Sequence, residues 1–429
     1  MKKTILTFVI LAKVFSNQAQ VVSTFAGSGT IGGSNGAGIT ASFAFPSGVC
    51  ADAAGNIYVA DSFNNKIRKI TSTGVVSTFA GSGLQGGING AGIAASFYAP
   101  IGVCIDAVGN IYVADNANYK IRKITPDGVV STFAGSGIVG STDGTATMAS
   151  FNSPSGICID PSGNIYVTDN EWFAGRIRKI SPTGVVSTFA GSGESGSTND
   201  VGIAASFGAI YDICADVAGN IYVADGSNQQ IRKITPAGLV STFAGASQQQ
   251  SGSTDGVGVL ATFNTPSGIC IDAAGNLYVG ERGNHKIRKI SPTGVVSTFA
   301  GSGEAGSTNG NGIAASFNQP YGVCTDAIGN IYVADQWNHQ IRKIASMSAS
   351  IKTIEDYNDR FQVYPNPSST FLTIQTNEII ESINIYNSVG SLIQAESKTT
   401  FSVEQLPAGI YTVQIKTAKE NEIIRFIKD

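Results

Sequence analysis

The chain repeats itself. A segment reading GVCADAAGNIYVADSFNNKIRKI (48–70) recurs with its turn glycine at Gly55, Gly109, Gly163, Gly219, Gly275 and Gly329, at spacings of 54, 54, 56, 56 and 54 residues. A second element, VVSTFAG, stands at 21–27, 75–81, 129–135, 185–191 and 295–301, with the variant LVSTFAG at 239–245. Self-similarity at a fixed period restricts the chain to architectures assembled from one module, stacked or closed into a ring. Six copies of that module dominate everything else in the sequence.

Each repeat holds four stretches of strand character. GVCAD comes first, and NIYVA follows through a D-x-x-G-N turn. KIRKI is third, and VVSTFAG enters through a turn such as Pro182-Thr183-Gly184. β-Branched and aromatic residues fill these stretches, with glycine and asparagine between them. Glycine supplies 52 of 429 residues, about 12% against a usual ~7%, which suits a chain rich in turns. No stretch has a helical period. The pattern predicts an all-β propeller of four-stranded blades. The sixth repeat stops at Ile344 without a fourth strand, and a spare VVSTFAG precedes the first repeat. Setting 21–27 on the last blade closes a six-bladed ring and removes two open sheet edges. An open solenoid would need capping repeats, and none is visible.

The repeat resembles the NHL repeat, in which a P-x-G-V-x-x-D strand leads to G-N-I-Y-V-A-D and then N-x-x-I-R-K-I. The resemblance covers residues 21–345 and implies a six-bladed propeller, used in that family mostly as a binding platform. Propellers host many unrelated functions, so the fold does not choose one.

Past Ile344 the pattern changes. Residues 346–358 read as a polar linker, and 359–429 alternate as FLTIQ, SINIYN, SLIQA, TFSV, GIYTVQI and IIRFI, a small β-sandwich. From Phe361 this part resembles the C-terminal sorting domain of the type IX secretion system of Bacteroidetes. Tyr364-Pro365-Asn366-Pro367, Ile385-Tyr386-Asn387 with Gly390, Leu406 with Gly409-Ile410-Tyr411, and Arg425-Phe426-Ile427-Lys428 carry that resemblance. It implies recognition by the type IX machinery at the outer membrane, removal of 359–429, and release or surface attachment. The first nineteen residues fit an export signal: Lys2 and Lys3, an apolar stretch at 4–12, then Ser16-Asn17-Gln18-Ala19 for cleavage. Nine apolar residues cannot span roughly 30 Å of hydrocarbon, so no transmembrane segment is expected. The expected address is extracellular or the outer-membrane surface. A net charge of −3 with no basic segment excludes a nucleic-acid footprint.

The chemistry-bearing residues mostly repeat, and a residue present in every blade serves the blade. Cys50, Cys104, Cys158, Cys214, Cys270 and Cys324 occupy one slot, one blade apart, roughly the ~10 Å spacing of packed sheets. That exceeds disulfide reach, so they read as small buried apolar residues rather than a metal-binding ring. Asp61, Asp115, Asp169, Asp225 and Asp335, with Glu281 in repeat five, are placed to accept backbone N–H groups and fix a turn. Arg68 and its equivalents are placed to pair with carboxylates. His285 and His339 share one loop position and are the two histidines of the chain. The amidated-peptide lyase of the NHL class uses several histidines around a metal, so that activity is not carried over. Sugar-lactonase propellers need converging acids, and Asp212 alone is unpatterned. Glycine-rich stretches such as Gly27-Ser28-Gly29 precede no helix and make no phosphate loop.

What varies between repeats is more informative. The long Gly-rich loop and the second-to-third strand loop share one face. That face carries Phe63, Tyr119, Trp172, Phe173 and Trp337, with Tyr98, Tyr211 and Tyr321 just before first strands. Irregularities gather in repeats three to five: an insertion at 170–175, Ala209-Ile210-Tyr211-Asp212 in place of Pro-x-Gly, and Gly280-Glu281-Arg282 in place of Ala-Asp. The candidate rim is therefore Phe63, Tyr119, Trp172, Phe173, Tyr211, Asp212, Glu281, Arg282 and Trp337. Aromatics on a rigid rim suit stacking on sugar or anchoring a protein. The leading expectation is a non-enzymatic binding protein for a protein or polysaccharide, with no resident cofactor. Its rivals are a lyase or lactonase-like hydrolase using a divalent cation at the channel mouth, and a purely structural surface component.

Overall fold

The computed structural model describes residues 20–247, 250–346, 361–364, 368–376, 378–387, 391–417 and 421–428. The export signal read at 1–19, the linker residues 347–358, and Pro365, Asn366, Pro367 and Gly390 lie outside them. The chain divides into two compact units, residues 1–347 and 348–429.

The first repeat shows how the sequence makes a sheet. Pro46–Ala51, Ile57–Asp61, Lys66–Ile70 and Val75–Ala80 lie side by side in chain order, each antiparallel to the next. Asp52 drives the first turn: its Oδ1 accepts the N–H groups of Ala54 (3.0 Å) and Asn56 (2.8 Å), while Gly55 takes the left-handed conformation the turn requires. Every residue of Ile57–Asp61 is buried, because sheets pack against both faces of each central strand. The same arrangement recurs in each repeat, giving six sheets among the described residues of the first unit.

A fifth, two-residue strand was not expected. Gly36–Ala37 adds to the outer edge of Val75–Ala80, and Gly90–Ala91, Gly144–Thr145, Gly256–Val257 and Gly310–Asn311 do likewise. In repeat four one bridge, Val201 to Leu239, takes that place. The long glycine-rich loop thus folds back as an edge guard over each outer strand.

The N-terminal strand Gln20–Ala26 pairs antiparallel with Gln340–Ser346 of the sixth repeat, in one sheet with Pro320–Thr325. First strands stand beside one another in repeat order, and Pro320–Thr325 stands beside Pro46–Ala51. The cores follow the same order. Each cluster is shared by consecutive repeats, and one combines Val49, Ile57 and Val59 with Cys324, Tyr332 and Ile341 of the last.

A buried ion pair organises every sheet. Arg68 Nη1 lies 2.7 Å from Asp61 Oδ2, and both side chains are fully buried. Arg68 also donates to the carbonyls of Ser42 (3.1 Å) and Ser34 (2.9 Å) and to Asn35 Oδ1 (2.8 Å), and stacks over Phe43. Asp61 Oδ1 accepts the Ala44 N–H at 2.7 Å. Equivalent pairs join Arg122–Asp115, Arg178–Asp169, Arg232–Asp225, Arg288–Glu281 and Arg342–Asp335.

The second unit is all-β as well. Its described strands form a three-stranded sheet (Phe361–Tyr364, Phe371–Thr376, Thr400–Ser402) and a four-stranded one (Leu392–Glu396, Ile380–Tyr386, Gly409–Thr417, Asn421–Lys428). Leu372, Ile374, Ile383, Phe401, Val413 and Phe426 form one core between them. No described helix is long and apolar enough to cross a membrane.

Removing one member of a buried pair strands the other charge. Asp115→Ala is expected to cost about 3–5 kcal/mol in a urea melt, because Arg122 is left buried without its carboxylate. Asp127→Ala, at an exposed turn of the same repeat, is expected to stay within about 0.5 kcal/mol.

Candidate functional site

First strands from all the repeats line an axial cavity of about 120 Å³. Glycine holds the narrowest slot in five of them: Gly48, Gly102, Gly156, Gly268 and Gly322. A Cβ on Gly48 would collide with the Ile101 carbonyl, and one on Gly322 with the Ser47 carbonyl, so adjacent strands approach too closely for a side chain. Repeat four alone carries a side chain there. It is Asp212, whose Oδ2 accepts the Ile269 N–H of repeat five at 3.1 Å. Burial pushes the Asp212 carboxyl up to about 7, and the Ile269 and Ile213 N–H groups only partly offset this.

Tyr211 and Tyr321 occupy the slot just before. Both line the cavity, with ring centroids 6.4 Å apart in an edge-to-face arrangement. Gly226 makes room for Tyr211, since any Cβ there would meet the ring. The Arg282 guanidinium lies over the Tyr321 ring, 5.4 Å from its centroid, and donates to Gln319 Oε1 at 3.1 Å. Tyr211 and Asp212, read from the sequence as irregularities, therefore line the cavity together with Tyr321, and Arg282 joins them through its contact with the Tyr321 ring.

Glu281 does not join them. It is fully buried, 3.1 Å from Arg288 Nη1, and accepts the Asn264 N–H at 3.0 Å. Its difference from the aspartates of other repeats is one of length, and it keeps their structural role. Its placement on a binding rim is corrected here: a carboxylate without solvent access, already holding an arginine, has nothing to offer a ligand.

The histidines are also structural. Phe45 N–H donates to His339 Nδ1 at 3.2 Å, and Gln319 N–H to His285 Nδ1 at 3.1 Å. Each ring accepts from the next repeat, so its proton sits on Nε2. Asn65 Oδ1 accepts the Ala99 N–H in the same way at 2.9 Å, and Gln229 Oε1 accepts the Thr265 N–H. Burial draws both histidines below the ordinary range. Tyr119 holds this slot in repeat two, half-buried and left-handed, and leaves the Ser153 N–H to Asp169 instead.

The remaining rim aromatics form two separate groups. Phe63 (70% exposed) and Trp337 (49%) both contact Phe45 edge to face, at 4.6 and 5.7 Å between centroids, where the last repeat meets the first. Phe45 was not singled out from sequence, although its place one residue before Pro46 was a usable signal. Trp172 (89%) and Phe173 (72%) project from the tip of the Ile165–Glu171 and Ala174–Ile180 hairpin, the product of the repeat-three insertion.

All six cysteines are free and buried, and burial raises every thiol well above its usual range. A thiol held in that form is unreactive. Among the described residues no three His, Cys, Asp or Glu side chains stand together as a metal-holding group.

Two measurements follow from this chemistry. The folded Asp212 carboxyl titrates near 7, against about 3.9 unfolded. Relative to Asp212→Asn, the wild-type chain is therefore expected to be most stable below pH ~4 and to lose that advantage as pH rises to ~7. Paired thermal melts read the difference, and a flat difference would refute the shift. A thiol reagent is expected to leave the native chain unlabelled and to titrate six cysteines after unreduced denaturation.

Known proteins share both parts of the chain. Residues 43–70, 151–171, 263–290 and 317–344 match the NHL repeat, and residues 362–429 match the secretion system C-terminal sorting domain. NHL repeat-containing protein 2 of Bos taurus is 30% identical over 360 residues, 75% of this chain and 49% of that protein. The chain thus spans about half the length of this curated relative. Among solved structures, a Bacteroides thetaiotaomicron protein of unknown function superposes with a TM-score of 0.60 at 21% identity, covering 76% of each chain. An auxiliary nutrient binding protein of the same organism gives 0.58 at 19%, covering 76% of this chain and 77% of its own. These structures share the propeller fold. The chain carries NHL repeats in a propeller followed by a secretion-system sorting domain, which indicates secretion or a cell-surface location.

Proposed function

We propose that the six sheets are blades of a closed six-bladed propeller, and that this propeller is a non-enzymatic binding platform for a polysaccharide or protein. The pairing of Gln20–Ala26 with Gln340–Ser346, and the core shared by the last and first repeats, support closure. The observation that carries the binding reading is the contrast between occupied and free groups. Both histidines and the repeated carboxylates are held in structural bonds, while Trp172, Phe173, Phe63 and Trp337 stand exposed on second-to-third strand loops. Flat, rigid aromatics offer stacking area at low entropic cost.

In this reading the type IX machinery engages 359–429, and the mature propeller works outside the cell or on the outer-membrane surface. The second reading, a metal-dependent lyase or lactonase-like hydrolase, is favoured by one observation: Asp212 lines the axial cavity with its carboxyl near 7. It would need further ligands for its cation beyond this single acid.

Melting-temperature shifts against a polysaccharide panel test the proposal, since a ligand that prefers the folded state raises the midpoint. Trp172→Ala and Trp337→Ala are each expected to weaken the shifting glycan about tenfold without lowering the unliganded midpoint. A saturable shift with calcium or zinc, accompanied by turnover of a lactone, would instead establish the enzyme.

A further inference from the structure

In a repeat array, departures that are scattered in sequence but adjacent in space mark a site more sharply than any single residue. Three structural slots are broken, at five positions, between repeats four and six. Tyr211 and Tyr321 replace the serine or isoleucine of Ser47, Ile101, Ser155 and Ser267. Asp212 replaces glycine. At the residue following the second-strand carboxylate, other repeats reach across to the next one: Ser62 Oγ donates to the Pro100 carbonyl at 2.6 Å, and Asn116 Nδ2 to that of Pro154 at 2.9 Å. Gly226 and Arg282 give up that bond. The first makes space for the Tyr211 ring, and the second sets its guanidinium over Tyr321.

These substitutions leave polar groups in need of a partner. Every other arginine of residues 20–346 has a carboxylate within 3.1 Å. Arg282 has none among the described residues; its Nε is buried without an acceptor, as are those of Arg68, Arg122, Arg178, Arg232, Arg288 and Arg342, so the missing carboxylate is what sets Arg282 apart. Tyr321 is nine-tenths buried, and no described residue bonds its hydroxyl. A cation with spare donors beside two aromatic rings matches a ligand that carries both a carboxylate and a flat, partly apolar ring face. The cavity of about 120 Å³ has room for roughly four waters, so it takes one edge of a ligand whose ring rests at the mouth, and neither a whole sugar nor a polymer strand.

We propose that the axial mouth formed by Tyr211, Asp212, Arg282 and Tyr321 binds a sugar acid, either free or as the terminal uronic acid of a polysaccharide. The carboxylate pairs with Arg282, and the ring lies against the tyrosines. This rests on the binding reading and names its ligand class.

Isothermal titration of the whole chain with galacturonic acid, with galactose as the uncharged control, tests it. Galacturonic acid is expected to bind saturably and galactose about tenfold more weakly or not at all. Arg282→Gln is expected to lose about tenfold in galacturonic acid affinity at an unchanged melting temperature, since Gln336 already fills that slot in repeat six. Gly226→Ser, which displaces the Tyr211 ring without altering charge, is expected to weaken binding as well. Absence of binding, equal binding of both sugars, or unchanged affinity in Arg282→Gln would each overturn the proposal. A chain with Trp172→Ala and Trp337→Ala that loses polysaccharide but keeps galacturonic acid distinguishes this site from the rim.

Discussion

The buried arginine–carboxylate pair is the constraint on which the repeats depend. Each arginine is fully enclosed, so its charge must be met inside the protein, and the two terminal nitrogens of Arg68 reach three segments: Asp61, Ser42 and Ser34-Asn35. It ties the end of the second strand to the start of the first and to two points of the long loop. Severing the carboxylate leaves an unpaired charge whose desolvation nothing repays. That cost explains why a loop full of glycine and serine has a definite path. It also explains where change is permitted. Repeat three inserts two residues between Asp169 and Arg178, yet the pair persists at 3.1 Å and the extra length is expelled as the hairpin tip bearing Trp172. Repeat five exchanges aspartate for glutamate and keeps the same bonds.

The periodic part of the fold was legible because identical strands recur with identical turns. The strand order, the pairing of Gln20–Ala26 with the last repeat, and the structural use of Asp52 and Asp61 all follow from residues that can be read locally. Two features resisted. The edge strand Gly36–Ala37 is too short for any alternation, and it exists because Arg68 anchors the neighbouring Asn35. The histidines shared one loop position in the sequence, which gave no sign of what they hold. Their partners, Phe45 and Gln319, belong to the following repeat, 294 residues away in one case and 34 in the other. Glu281 shows the opposite trap, a residue made conspicuous by its type while its geometry is ordinary.

For the candidate site the lesson is about slots. Asp212 and Arg282 stood out against their repeats, but no spacing in the chain reveals that residues 211, 226, 282 and 321 meet. Only the side-by-side order of first strands brings them together, and only the absence of a Cβ at Gly226 leaves room for the Tyr211 ring. A glycine is invisible in a search for functional groups, even where it creates the room they occupy.

Export adds a further demand on the same scaffold. A protein sent out of the cell meets oxidising conditions, where thiols ordinarily become disulfides or lesions. Six cysteines survive as free thiols because each is packed in a core shared by adjacent sheets, where burial suppresses the thiolate that oxidation requires. The crosslinking that disulfides provide in many exported domains falls here to the arginine pairs and the inter-repeat N–H bonds accepted by Asn65, Gln229, His285 and His339. Those bonds join a repeat to its neighbour without covalent chemistry. The loops above them remain free to vary, and there the exposed aromatics differ from one repeat to the next.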